Sequence, residues 1–138
     1  VPFPMSGSCR FHCYISIDKK VDGETKQAAL AAVGGCDFVK HVVVVDADID
    51  IYNEEEVMWA VATRVQADQD VDIIKNVKGN TLDPSQTDNI MTAKLIIDAT
   101  KPVQRPYEAR VAVPKAAMEK TKLEDFIPRA LLDRVPKV

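Results

Sequence analysis

Four consecutive valines, Val42 to Val45, constrain this chain more than any other feature. A run of β-branched residues with no polar alternation suits a strand covered on both faces, as in an inner or parallel position of a sheet. The run opens at His41 and gives way to three aspartates at alternate positions, Asp46, Asp48 and Asp50. A helix is expected next. Asn53 is a good N-cap, Glu56 stands at the capping-box spacing, and Glu54 and Glu55 suit the positive end of the helix dipole. Val57, Met58, Val61, Ala62 and Val65 then recur at helical spacing and form one apolar stripe. Lys40 to Val65 therefore reads as buried strand, acidic turn and amphipathic helix.

The flanking sequence extends this unit. Arg10 to Ile17 alternates and predicts a strand, with Phe11, Cys13, Ile15 and Ile17 on its more apolar face. Asp22-Gly23 predicts a turn, with Asp22 capping an alanine-rich helix from Glu24 to about Val33 that Gly34-Gly35 stops. Val71 to Val77 and Lys94 to Ile97 read as two further strands, the first with Val71, Ile73 and Lys75 on one face. Between them, Thr81 to Asn89 is a polar loop punctuated by Asp83-Pro84-Ser85. Beyond Pro102 and Pro106 the chain is expected to run extended. A short helix follows from Pro114 through Met118, and a last one begins near Pro128. The expected class is α/β (α+β): a mixed sheet on a strand-helix-strand-helix core, with helices packed on it and a helical C-terminal tail. Residues 1–138 are expected to form a single domain, with 1–8 a lead-in and 103–138 a tail.

Composition narrows the function. The chain has 138 residues, enough for a real core, and a net charge of -3 without a basic stripe, which disfavours nucleic acid. No apolar run reaches membrane-spanning length. Three cysteines, Cys9, Cys13 and Cys36, fit a reducing, cytoplasmic setting better than a disulfide framework. A first residue of Val, not Met, is expected of a fragment, a processed chain or a trimmed piece. Asp46-x-Asp48-x-Asp50 resembles the start of a calcium loop, but that loop needs Gly at its sixth position and Glu at its twelfth, and Ile51 and Val57 stand there. The aspartates are thus expected to shape the strand-to-helix turn and to pair with Arg64 or a lysine, with a metal or catalytic role as the alternative. Cys9, His12 and Cys13 match no standard zinc spacing. His41 is expected to make a core or edge hydrogen bond, and Trp59 to serve packing. There is no Gly-rich phosphate loop and no serine or cysteine nucleophile motif. On its residues the chain is an α/β domain without a self-contained active site.

VVVVDADIDIYNEEEVMWAVATRVQADQDV resembles the C-terminal domain of the UbiD family of decarboxylases. That family shows a hydrophobic strand, D-x-D-I-D, a gap, V-x-W-A, T-R and a following D. Here these are Asp46, Asp48, Ile49, Asp50, Val57, Trp59, Ala60, Thr63, Arg64 and Asp70. GSCRFHCYISI is similar to the strand that opens the family's domain. Gly79 with Leu82-Asp83-Pro84-Ser85 resembles its G-x-x-L-D-P-S loop, and Lys94 with Ile97-Asp98-Ala99-Thr100 its K-x-x-I-D-A-T strand. The resemblance covers about residues 6 to 102.

The resemblance implies part of a reversible non-oxidative decarboxylase of aromatic, heteroaromatic or α,β-unsaturated carboxylic acids. Its cofactor is prenylated FMN, held with a divalent metal (Mn or Mg) and potassium by a flavin-binding domain that this chain does not contain. The catalytic acids and metal ligands belong to that domain, so no catalytic or metal residue is expected here. The implied role is pocket closure, with Leu82 reaching the substrate pocket beside Asn80 and Thr81. Homo-oligomer assembly is expected through the C-terminal tail. Some members carry a lysine ahead of the buried strand, near the flavin phosphate. Gly34 and Gly35 occupy the nearest positions here, with Lys40 close by, and no flavin-contacting residue is assigned. A purely structural oligomerisation module is the alternative.

Overall fold

A computed structural model describes residues 1–87, 89–122 and 126. Four strands, β1 (His12–Ile17), β2 (His41–Asp46), β3 (Val71–Lys78) and β4 (Met91–Ala99), form one sheet in the order β1-β2-β4-β3. β1, β2 and β4 run parallel, and β3 pairs antiparallel with β4 at one edge. The valine run is thus the second strand in, between two parallel neighbours. The two α-helices described in this region, α1 (Glu24–Gly35) and α2 (Glu54–Arg64), cover opposite faces. Strand periodicity divides the valines between them. Val42 and Val44 join Cys13, Ile15 and Ile96 beneath Ala29 and Val33 of α1. Val43 and Val45 join Tyr14 and Ala99 beneath Val57 and Ala60 of α2. Burying each valine contributes roughly 1.5–3 kcal/mol, so this strand anchors both halves of the core.

The caps differ in detail from the sequence reading. Asn53 caps α2 as expected, its side chain accepting the Glu55 amide, and the Glu56 carboxylate reaches back to accept the Asp50 amide. Glu54 instead accepts the Tyr14 hydroxyl at 2.6 Å, together with Ser6, tying the lead-in segment and β1 to the start of α2. Asp22 does not cap α1. The cap is Gly23 at φ 106, a left-handed conformation that glycine adopts without strain, while the Asp22 carboxylate binds Lys19 and the Val103 amide. α1 also runs through Gly34 and Gly35 and ends at Cys36, which is extended.

The chain divides into two units, Val1–Tyr107 and Glu108–Val138. The second contains α3 (Lys115–Lys120), capped by Pro114 and without buried residues. The helix expected from Pro128 lies outside the described residues.

Candidate functional site

Open α/β sheets bind ligands beyond the C-terminal ends of their parallel strands, and the aspartate stretch leaves β2 there. Arg64, from the last turn of α2, donates to Asp46 at 2.7 Å and to both oxygens of Asp48 at 3.0 and 3.2 Å. Lys101 adds an ion pair to Asp48 at 2.8 Å and its backbone amide to Asp46. The Arg64 guanidinium lies over the Trp59 ring, 5.4 Å from its centroid. Asp50 is not part of this network and accepts the Tyr52 amide. Burial works against the Asp48 carboxylate, but Arg64 and Lys101 outweigh it and hold its pKa below the ordinary carboxylate range. Nearby, Asp98 is engaged by Thr25 and Thr100. At this end of the sheet Asp46, Asp48 and Asp98 are thus engaged by neighbouring donors, beside a shallow hollow of about 250 Å³ that Arg64, Asp98 and Thr100 help to line.

The opposite end carries the loop between β3 and β4. The Asn80 side chain accepts the Leu82 amide at 3.0 Å, and Asp83 donates its amide to the Asn80 carbonyl. Asp83 is buried, at 5% exposure. Its carboxylate accepts Lys40 at 2.9 Å, the Ser85 amide and hydroxyl at 2.9 Å each, and the Thr92 hydroxyl at 3.3 Å. Burial opposes that charge, yet Lys40 and the Ser85 donors pull its pKa down to about 2. Leu82 stands one residue before this anchor and is 58% exposed. Thr81 is exposed beside it, whereas the Asn80 side chain is spent on shaping the loop. The sequence reading assigned Leu82, Thr81 and Asn80 to the pocket by family resemblance and missed Lys40 as the partner of Asp83. Asp-Pro-Ser signals the turn, while nothing local signals an ion pair spanning 43 positions.

Between β3, β4 and the start of β2 lies a hollow of about 580 Å³, lined by Lys40, His41, Ile73, Lys75, Met91 and Leu95 among others. Leu82, Thr81 and Asn80 do not line it. Burial, followed by His12 and Lys40, lowers the His41 pKa, and its ring meets His12 edge-on at 5.1 Å. A flavin phosphate needs free donors, but Lys40 turns its ammonium to Asp83 and Ser85. Lys94, also at the hollow, gives its ammonium to backbone carbonyls. With both ammoniums engaged, the described residues do not offer Lys40 or Lys94 to such a phosphate. Nor do they bring Cys9, His12 and Cys13 together. Cys9 is exposed against Met5, Cys13 lies in the α1-side core, and no group of three or more metal-ligating side chains occurs among the described residues.

Comparison with known proteins gives a consistent result. The profile of the 3-octaprenyl-4-hydroxybenzoate carboxy-lyase C-terminal domain matches residues 1–99. The anhydromevalonate phosphate decarboxylase of Aeropyrum pernix is 47% identical over 100 residues, covering 72% of this chain and 22% of that protein. The UbiD-class enzyme HmfF from Pelotomaculum thermopropionicum, in complex with FMN, superposes with a TM-score of 0.78 at 47% identity, over 91% of this chain and 28% of that one. An evolved dimeric form of HmfF in complex with prFMN gives a TM-score of 0.67 at 42% identity, over 91% and 25%. The chain thus spans about a quarter of the length of the proteins it matches.

Proposed function

Because the chain belongs to the family of 3-octaprenyl-4-hydroxybenzoate carboxy-lyase C-terminal domains, we propose that it is the pocket-closing part of a UbiD-class decarboxylase. One observation carries this reading: an exposed leucine, Leu82, stands on a loop fastened by a buried, fully hydrogen-bonded carboxylate, Asp83. On this reading Leu82 serves a pocket contributed by another domain, in keeping with the tendency of binding residues to sit on loops positioned by a rigid scaffold. The partner is a flavin-binding domain, in the same chain or a second one, with prenylated FMN, a divalent metal and potassium on that side. When bound, the flavin supplies the electron sink for loss of carbon dioxide. Residues of this chain supply the lid: Leu82 excludes water and sets the depth of the pocket, Thr81 flanks it, and Asn80, Asp83 and Lys40 hold the loop in place. None of them moves a proton in the reaction, and the 138-residue chain alone is inactive.

The substrate class is an aromatic or α,β-unsaturated carboxylic acid, for which an apolar lid fits the flat carbon skeleton. Assembly into a homo-oligomer is assigned to the C-terminal segment, whose sequence carries Phe126, Ile127, Leu131, Leu132 and Val135. A cytoplasmic setting is part of the same reading. No helix among the described residues is long and apolar enough to cross a membrane.

The test is substitution of Leu82 in the complete flavin-loaded enzyme. Leu82→Ala and Leu82→Phe are expected to shift kcat/KM ratios between small and bulky acids about tenfold, the range that a few methylenes in an apolar pocket command. A structural module that touches neither cofactor nor substrate is the second reading, favoured by the absence of Leu82 from the large hollow. Unchanged ratios in both variants would select it.

A further inference from the structure

Lys94 is the largest wholly buried side chain among the described residues, 1% exposed in the interior of β4. A buried ammonium is costly, and an apolar side chain of the same volume would avoid the cost. The Lys94 ammonium is not held by a carboxylate. It donates to two neutral carbonyl oxygens, of Asp37 at 2.7 Å and of Val39. Those carbonyls belong to the segment between α1 and β2 that ends at Lys40. The Lys40 ammonium then meets Asp83 at 2.9 Å and the Ser85 hydroxyl, which fastens the Leu82 loop. Thr92, two residues before Lys94 on the same strand and so on the same face, donates to Asp83 as well. One strand therefore grips the loop anchor twice, directly through Thr92 and at one remove through Lys94.

We propose that Lys94 is a positioning residue for the Leu82 loop: by clamping the Asp37 and Val39 carbonyls it fixes where the Lys40 ammonium stands, and through Lys40 and Asp83 it sets the loop. Its consequence for catalysis rests on the pocket-closing reading above; the relay itself does not. Substitution by methionine removes the ammonium and keeps most of the volume. It leaves two carbonyls without their donor and loosens the Asp37 to Val39 segment, while the Lys40 backbone keeps its bonds to Phe11 and Leu95.

Amide hydrogen exchange in the 138-residue chain reads the relay without flavin or substrate. The amides of Leu82 and Ser85 are bonded to side chains of the loop and report its closure. Lys94→Met is expected to speed their exchange about tenfold while leaving Val43 and Val44 in the core within about twofold. Lys94→Arg, which keeps a charged donor, is expected to restore most of the protection. In a Lys40→Met background, adding Lys94→Met is expected to produce no further loosening, because the relay is already cut. Unchanged loop exchange, full additivity with Lys40→Met, or global unfolding of both Lys94 variants overturns the proposal, the last because it makes Lys94 a core element. In the complete enzyme, a loosened loop is expected to lower kcat/KM and blur the preference that Leu82 sets. If the loop loosens and turnover is unaffected, the pocket-closing reading fails and the relay stands.

Discussion

Replacing Arg64 by alanine tests whether the acidic turn is a structural device. The Arg64 side chain is 2% exposed and joins Asp46, 16% exposed, to Asp48, 50% exposed. Removing one partner of a buried ion pair costs about 3–5 kcal/mol, because the other charge is left without compensation. Several features here reduce that figure. Asp48 faces water and keeps Lys101, Asp46 keeps the Lys101 amide, and the Arg64 Nε is buried without an acceptor, so the native arrangement carries a cost of its own. Loss of the stacking on Trp59 adds back about 0.5–1 kcal/mol. The expected destabilisation is about 2–4 kcal/mol, or a fall in Tm on the order of 10–20 °C for a unit of this size. Urea unfolding followed by fluorescence measures it directly, since Trp59 is the single tryptophan and lies against the site. Arg64→Lys is expected to recover only part of the loss, because an ammonium cannot bridge two carboxylates as the guanidinium fork does. The wild type carries a matching pH signature. The Asp48 pKa is depressed in the folded state, so its contribution is present above the unfolded value of 3.8 and fades as pH falls through the lower folded one. Arg64→Ala flattens that acid dependence. A change below about 0.5 kcal/mol, typical of an ordinary surface substitution, would refute the pairing as the reason for the aspartates.

Three further outcomes follow from the same structure. The Asp83 carboxylate should titrate at about 2, so the hold on the Leu82 loop is complete above the unfolded value of 3.8 and is released as pH falls through about 2. Carboxyl-carbon NMR of Asp83 locates the midpoint, and one near 4 contradicts the anchor. Burial and the Glu54 hydrogen bond raise the Tyr14 pKa to about 12, so its contribution is present below the unfolded value of 10.0 and lost as pH rises through about 12. Ultraviolet difference spectra of wild type against Tyr14→Phe should show the missing phenol ionising at that late step. Gly7→Ala would place a Cβ 2.5 Å from the Cβ of His12 and 2.6 Å from its backbone nitrogen. It is expected to destabilise by about 1–3 kcal/mol in a thermal melt, and an unchanged Tm would mean that the lead-in segment does not pack as described.

The strongest elements were legible because their physics is local. The valine run announced an inner strand, Asn53 announced the start of α2, and Arg64 was identified as the partner of the acidic turn. Errors arose where a side chain had a distant alternative. Asp22 does not cap α1: Lys19 and the Val103 amide, 81 positions away, engage its carboxylate. Glu56 reaches beyond the capping-box spacing to accept the Asp50 amide, six positions back. β3 alternates in sequence, yet Ile73 is 61% exposed because β3 is an edge strand whose α2-side face is left open at that point. The loop from Thr81 to Asn89 was legible in its polar and turn-forming residues, whereas the role given to Leu82 came only from family resemblance. Its anchor depends on pairings 43 positions apart between Lys40 and Asp83, and 55 apart between Lys94 and the Val39 carbonyl. A lysine within an apolar strand gives no local sign of such a bond.

On the proposed function, this chain shapes a decarboxylase pocket without carrying the reaction. The direct measurement is release of carbon dioxide from an aromatic or α,β-unsaturated acid. It is made with the purified 138-residue chain and prenylated FMN, and again with the chain combined with a UbiD-class flavin-binding domain. Release only in the combined sample, with a preference that Leu82→Ala alters, is the predicted result. Release by the chain and cofactor alone would contradict it.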